Sequence, residues 1–176
     1  YLAPKVNAFA VADGSIRIYS GLMDMMADDE LLFVIGHEMG HVAEKHVKEK
    51  IRLAYAGSAV RKAIASQQNQ VGAVARSGIG ALAETLLNAQ FSQQEEREAD
   101  DYGAAYLKNR GYDMQPAVSA LTKLATLGSR HSFLASHPAP KARAKRLLEN
   151  ARMGSWKEDQ SVIKRIVVWL KGLWPF

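Results

Sequence analysis

Two histidines four residues apart, with a glutamate directly after the first, are the side chains here best suited to chemistry: His37-Glu38-Met39-Gly40-His41. On a helix, four residues make about one turn, so both imidazoles project from one face and can share a tetrahedral ion. Glu38 lies about 100° round the helix from His37. It is badly placed to join the same tetrahedron, but it can reach a water on the ion. Zinc lowers the pKa of such a water to about 7, and a nearby carboxylate can take its proton. The pattern points to metal-assisted hydrolysis with Glu38 as general base. The competing reading is a chance meeting of three residue types, which a complete ligand set would displace.

A third ligand is required. A metzincin would supply a histidine six residues after the second one and a glycine three after it; here those positions hold Val47 and Glu44. His46 is one position off. By the helical period it faces away from His37 and His41, as a surface or second-layer residue. The third ligand is therefore expected from another helix, and Glu96-Arg97-Glu98-Ala99-Asp100 is the candidate. Glu96 and Asp100 share a face. One carboxylate could bind the ion while the other accepts the free ring N–H of a ligand histidine. A solvated acidic face is the competing reading, since Glu95 and Glu98 also lie here.

Several elements must position these groups. An apolar run at 6–11, Asp13-Gly14 and the alternating stretch 15–19 predict a β-hairpin at about 6–20, with both turn positions at positive φ. Residues 21–27 read as a connection. Asp28-Asp29-Glu30 suit a helix N-terminus. The run from Leu31 through Val42 is apolar almost all round, so this helix should be central and buried. It turns charged beyond Glu44, and its far end should leave the core. The Ala-, Gly-, Ser- and Gln-rich stretch 54–90 reads as loosely packed helices or a flap. Ser92 caps a helix over about 93–109, with Glu95 completing a capping box, and Gly111 ends it. Another helix covers about 113–127, and 128–136 reads as a loop. Pro138 and Pro140 open a helix to about residue 152.

With 176 residues, of which 48% are hydrophobic, the chain can build one domain with an ordinary core. The absence of cysteine excludes disulfides, thiolate metal sites and cysteine nucleophiles. A net charge of +5 suits solubility or a face toward anionic lipid. No basic cluster is interleaved with aromatic residues, so nucleic acid is not an expected partner. No run of 18 apolar residues predicts a transmembrane helix. The chain begins with Tyr1 and is expected to be a piece or a processed form, with any leader or lipid tether upstream.

Four stretches resemble the HtpX-like zinc metallopeptidases, the gluzincin family that also contains the prenyl-CAAX processing protease. They are Asn7-Ala8-Phe9, the motif from His37 to His41 followed by His46, Glu96 to Asp100 followed by Asp101-Tyr102-Gly103, and Ser136-His137-Pro138 with Arg143. They occur in the family's order over about residues 4–150, and the small bacterial envelope lipoproteins of the family are the nearest in kind. The resemblance implies that Glu96 is the third zinc ligand, that Asp100 partners a ligand histidine, and that His137 and Arg143 sit near the substrate side. The chain lacks the spanning helices of integral-membrane relatives, which favours a soluble or lipid-tethered catalytic domain on the periplasmic side of the bacterial envelope.

His137 also has a case of its own. Its ring could stabilise an oxyanion, cap the helix after Pro138, or fill the open zinc position and hold the enzyme latent. Arg143 could instead anchor its loop through a carboxylate. An extended peptide could add to the second hairpin strand, 15–20; proline substitutions there would then impair cleavage. The tail, with Trp156, Trp169 and Trp174 among basic residues, reads as an interfacial amphipathic helix or a terminal helix packed on its own domain.

The expectation is thus a mainly α, α+β zincin-type fold, with the active-site helix beside a small N-terminal hairpin or sheet. Residues 1–152 form the catalytic domain and 153–176 the amphipathic tail. One zinc ion per chain is held by His37, His41 and Glu96, for endopeptidase action on unfolded, misfolded or unassembled envelope proteins. The rival is a non-catalytic zinc-containing assembly or chaperone scaffold, which would have no need of Glu38.

Overall fold

The computed structural model describes residues 2–11, 13–65, 90–128 and 131–153. Strands β1 (Ala8–Ala10) and β2 (Ile16–Ile18) form the expected antiparallel hairpin, with Phe9 opposite Arg17. Its turn differs from the two-residue form. Gly14 has φ +90°, but Asp13 does not take positive φ. Instead Asp13 Oδ1 accepts from the Ser15 backbone N–H at 2.8 Å and from its hydroxyl at 2.7 Å, a short side chain closing its own turn.

The stretch expected to connect hairpin and helix is itself helical: α1 spans Ser20–Met25. Ser20 Oγ donates to Ala3 O and accepts from Ala3 N–H, which ties the first residue of the helix to the segment before the hairpin. Helix α2 spans Asp28–Ala43. Glu30 Oε2 accepts from the Ala27 backbone N–H at 2.7 Å, and Phe33, Val34 and Met39 are buried. This helix does not run on into the charged residues. Lys45 takes a left-handed conformation, φ 64°, and a separate helix, α3 (His46–Ala65), begins after it.

Helix α4 (Gln93–Lys108) opens with the expected capping box. Ser92 Oγ accepts from Glu95 N–H, and Glu95 Oε2 accepts from Ser92 N–H. Gly111, at φ +81°, follows its end. Helix α5 (Gln115–Leu124) continues into a 3-10 turn, Ala125–Leu127. Part of the expected loop at 128–136 is a short helix, α6 (Ser132–Ser136), whose Phe133 is drawn into the core. Helix α7 (Pro140–Arg152) starts at its proline.

The main core gathers Ala8, Leu22, Phe33, Leu121, Phe133 and Leu147 from β1, α1, α2, α5, α6 and α7. A second cluster of Met39, Tyr102 and Tyr106 lies where α2 meets α4. These two helices touch along their backbones. A Cβ on Gly40 would lie 2.8 Å from Ala99 Cα, one on Gly36 2.9 Å from Gly103 Cα, and one on Gly103 3.0 Å from His37 N. Gly36 and Gly40 are one turn apart on α2, and Ala99 and Gly103 are one turn apart on α4. Together they form a seam that side chains would force open.

Among the described residues no helix is long and apolar enough to cross a membrane. The expectations for 66–89 and for the tail from 154 lie outside the described residues.

Candidate metal centre

The seam decides which polar side chains meet. His37 and His41 each follow a seam glycine on α2, and Glu96 and Asp100 each precede a seam residue of α4 by three positions. Close backbone approach therefore turns two imidazoles toward two carboxylates. The loop between α6 and α7 adds His137, and α7 adds Arg143. All of these, with Glu38, are buried.

His37, His41, Glu96 and His137 each offer one donor atom, and all four atoms lie within 4.8 Å of one another. His37 Nε2 is 3.1 Å from His41 Nε2 and 3.3 Å from His137 Nδ1. Glu96 Oε1 is 3.4 Å from His41 Nε2 and 2.9 Å from His137 Nδ1. Ligand atoms at zinc-like bond lengths from one ion stand about 3.3 Å apart along the edges of a tetrahedron. His37 Nδ1 lies 3.1 Å from Asp100 Oδ1. Arg143 Nη2 lies slightly further from the same nitrogen, at 3.3 Å; an ionised carboxylate only accepts, so the closer contact favours a proton on Nδ1, which leaves the Nε2 lone pair facing the cluster. Imidazole nitrogens and a carboxylate converging away from water form a group that could hold a metal ion. Imidazole and carboxylate donors without thiolate suit a first-row transition metal.

The charges support this arrangement. Burial, joined by the neighbouring histidine rings, holds His41 well below its ordinary value against the pull of Glu96, so the ring is neutral as a ligand must be. Burial would raise Glu96, but Arg143 and then His137 reverse this and hold the carboxyl well below the usual range. Asp100, raised by burial, is brought down to about 2 by Arg143 and His37. Glu38 stays beside the donor group. Its Oε1 is buried without a hydrogen-bond partner and lies 3.5 Å from His137 Nε2.

Some sequence expectations change here. His137 does not cap the helix after Pro138; that helix starts from Ala139, which has no side-chain cap, and His137 closes α6 instead. Its ring stacks on Phe133 at 4.6 Å. Arg143 Nε and Nη2 donate to Asp100 at 3.0 and 2.6 Å, and Nη1 pairs with Glu96. This is the carboxylate anchoring that the sequence left as its second option. His46 does not face away. It is buried, with Nδ1 3.0 Å from His41 Nδ1, because the left-handed Lys45 breaks the helical period on which that expectation rested. Phe91 was not expected at the site. It stacks on His41 at 3.7 Å and is preceded only by a stretch without clear periodicity. The paired small residues of the seam, four apart on each helix, were a readable signal.

Comparison with known proteins places the chain among metallopeptidases by family. The sequence pattern described as Peptidase family M48 matches residues 2–151. Metalloprotease LoiP of Escherichia coli is 49% identical over 149 residues, covering 84% of this chain and 59% of that protein. Metalloprotease YcaL of Escherichia coli is 40% identical over 156 residues, covering 88% and 61%. The beta-barrel assembly-enhancing protease of Escherichia coli is 31% identical over 158 residues, covering 79% and 31%. The chain thus spans about three fifths of the length of the first two relatives.

Proposed function

The chain belongs to peptidase family M48, and from that premise we propose that it is a zinc-dependent endopeptidase acting on extended or unfolded polypeptide. The observation that carries this reading is the four-donor group of His37, His41, Glu96 and His137, with the unpartnered carboxylate oxygen of Glu38 beside it.

In this reading His37, His41 and Glu96 would hold the metal. A zinc ion supplies Lewis acidity there, lowering the pKa of a water to about 7 and polarising a peptide carbonyl. Glu38 takes the proton of the attacking water and then passes it to the leaving amine. Asp100 holds His37 in the tautomer that turns Nε2 inward. Arg143 fixes Asp100 and Glu96 as a pair, and burial of the whole set excludes bulk water. His137 stands at the fourth donor position, which supports the reading in which its ring occupies the open site in a resting state. Lying beside Glu38 and Glu96, the same ring could instead assist at an oxyanion.

The catalytic domain is taken as residues 1–152, with 153–176 as a tail. An envelope location, on the periplasmic side and with a lipid tether upstream, is supported by the resemblance to envelope lipoproteins. Likeness to a protease named for β-barrel assembly further suggests unassembled envelope proteins as substrates and partners.

Cleavage of an unfolded protein such as casein tests the mechanism. Glu38→Gln should lower the rate by about 100-fold or more while metal analysis still finds one zinc per chain. Equal cleavage by wild type and Glu38→Gln would favour the non-catalytic scaffold. Glu96→Gln should lose zinc; undiminished affinity would assign the third ligand elsewhere.

A further inference from the structure

An imidazole that binds a metal through Nε2 must carry its proton on Nδ1, and the hydrogen bond made there fixes both tautomer and ring angle. For His37 that partner is Asp100. For His41 it is another imidazole. His41 Nδ1 faces His46 Nδ1 at 3.0 Å, and two ring nitrogens at this distance must divide the roles of donor and acceptor.

The far side of His46 decides which is which. Its Nε2 lies 2.9 Å from Glu98 Oε2. A carboxylate accepts, so on a neutral His46 ring the one proton belongs on Nε2 and Nδ1 is bare. The donor between the rings is then His41 Nδ1–H. Glu98 is itself oriented from within α4, where Gln94 Nε2 donates to Glu98 Oε1 at 3.0 Å. The directed chain runs from His41 to His46 to Glu98. It leaves the His41 Nε2 lone pair turned toward His37 Nε2 and Glu96 Oε1, at 3.1 and 3.4 Å.

We infer that His46 is a positioning residue, which relays the Glu98 carboxylate to His41 and so fixes the second metal-binding imidazole. This rests on the reading that His41 holds the ion through Nε2. Both ring nitrogens of His46 are committed, which separates it from the four-donor group. The backbone supports the assignment. On an unbroken helix, positions 41 and 46 would lie about 140° apart around the axis. The left-handed turn at Lys45 swings the second ring back, and the two ring centroids stand 5.2 Å apart at 68°. A residue with a Cβ rarely adopts that conformation, so the break points to a purpose. Helix α4 then supports both histidines of α2, His37 through Asp100 and His41 through His46 and Glu98.

The zinc-loaded chain tests this in two ways. Nitrogen-15 NMR with selectively labelled histidine rings should find the His41 proton on Nδ1 and the His46 proton on Nε2. A His46 ring protonated on Nδ1 would overturn the relay without any substitution. Zinc affinity is then read by competition with a chromophoric chelator on wild type, His46→Asn and His46→Leu, with folding checked by circular dichroism. Asparagine places an amide oxygen where histidine has Nδ1; leucine has a similar shape and cannot accept. His46→Leu should weaken zinc by about 10- to 100-fold, and His46→Asn by about threefold or less. A role in packing alone predicts that leucine does at least as well as asparagine, and that order refutes the relay. Wild type that takes up no zinc refutes the metal-centre reading itself. Equal zinc affinity in all three chains refutes only His46.

Discussion

Asp100 and Arg143 form a fork-to-fork pair sealed from water, with Arg143 Nε and Nη2 both on the one carboxylate. Burial works against both charges, and each keeps the other ionised: Asp100 falls from 3.8 to about 2, and Arg143 is raised still further. A carboxyl whose pKa is depressed by folding stabilises the native state above its unfolded value and loses that contribution as pH falls through the folded one. The window here is from about pH 4 down to pH 2, and the contribution is about 2 kcal/mol. Urea unfolding of the metal-free chain at a series of acid pH values should show that loss in wild type, and a flatter dependence in Asp100→Asn. Parallel profiles would assign the acid sensitivity to other carboxylates. At this scale the sequence was partly legible. His37, Glu38 and His41 could be read because their relation is set by one turn of one helix. Glu96 and Asp100 could be read as a pair, but which of them binds needed the resemblance. The partner of Arg143 lies on a different helix, and no local spacing encodes it.

Helices α2 and α4 meet at Gly36, Gly40, Ala99 and Gly103 with backbone against backbone. A methyl group on Gly40 would enter at 2.8 Å from Ala99 Cα, where no flexible side chain can yield. Gly40→Ala should therefore cost about 1–3 kcal/mol, seen as a lower thermal midpoint. It should also weaken zinc binding, because it separates His41 from Glu96. An unchanged midpoint would mean that the helices stand further apart than described. The elements themselves were largely legible. The capping box at Ser92 and the prolines before α7 act within a few residues, and local chemistry set those boundaries. The break at Lys45 was not legible, since lysine has no preference for a left-handed turn; the contacts of His46 on either side of it are tertiary. The loop expected before His137 holds α6 because Phe133 finds the core, an outcome of packing rather than of the surrounding residues.

Among the described residues, the donor group draws on three separate stretches of chain: α2, α4 and the loop before α7. An ion shared among them would act as a long-range crosslink that the unfolded chain does not have. Zinc at about a thousand times its dissociation constant should add about 4 kcal/mol of stability. Calorimetry with and without a chelator measures this, and the difference should largely vanish in Glu96→Gln. A chain equally stable in both conditions would have no such crosslink. What went unread at this scale was the approach of the two helices, although their paired small residues carried a signal for it, and this approach sets the spacing of the donors. Treated as a mechanical part, the seam is a clamp with almost no compliance, because two backbones in contact offer nothing that can rotate aside. Donors mounted on two such rods have a single aperture. An ion with longer bonds, such as calcium at 2.3–2.6 Å to oxygen, would have to pry the rods apart. Ions of zinc-like radius would not need to, so residues that touch no ion would bear on which metal the site accepts.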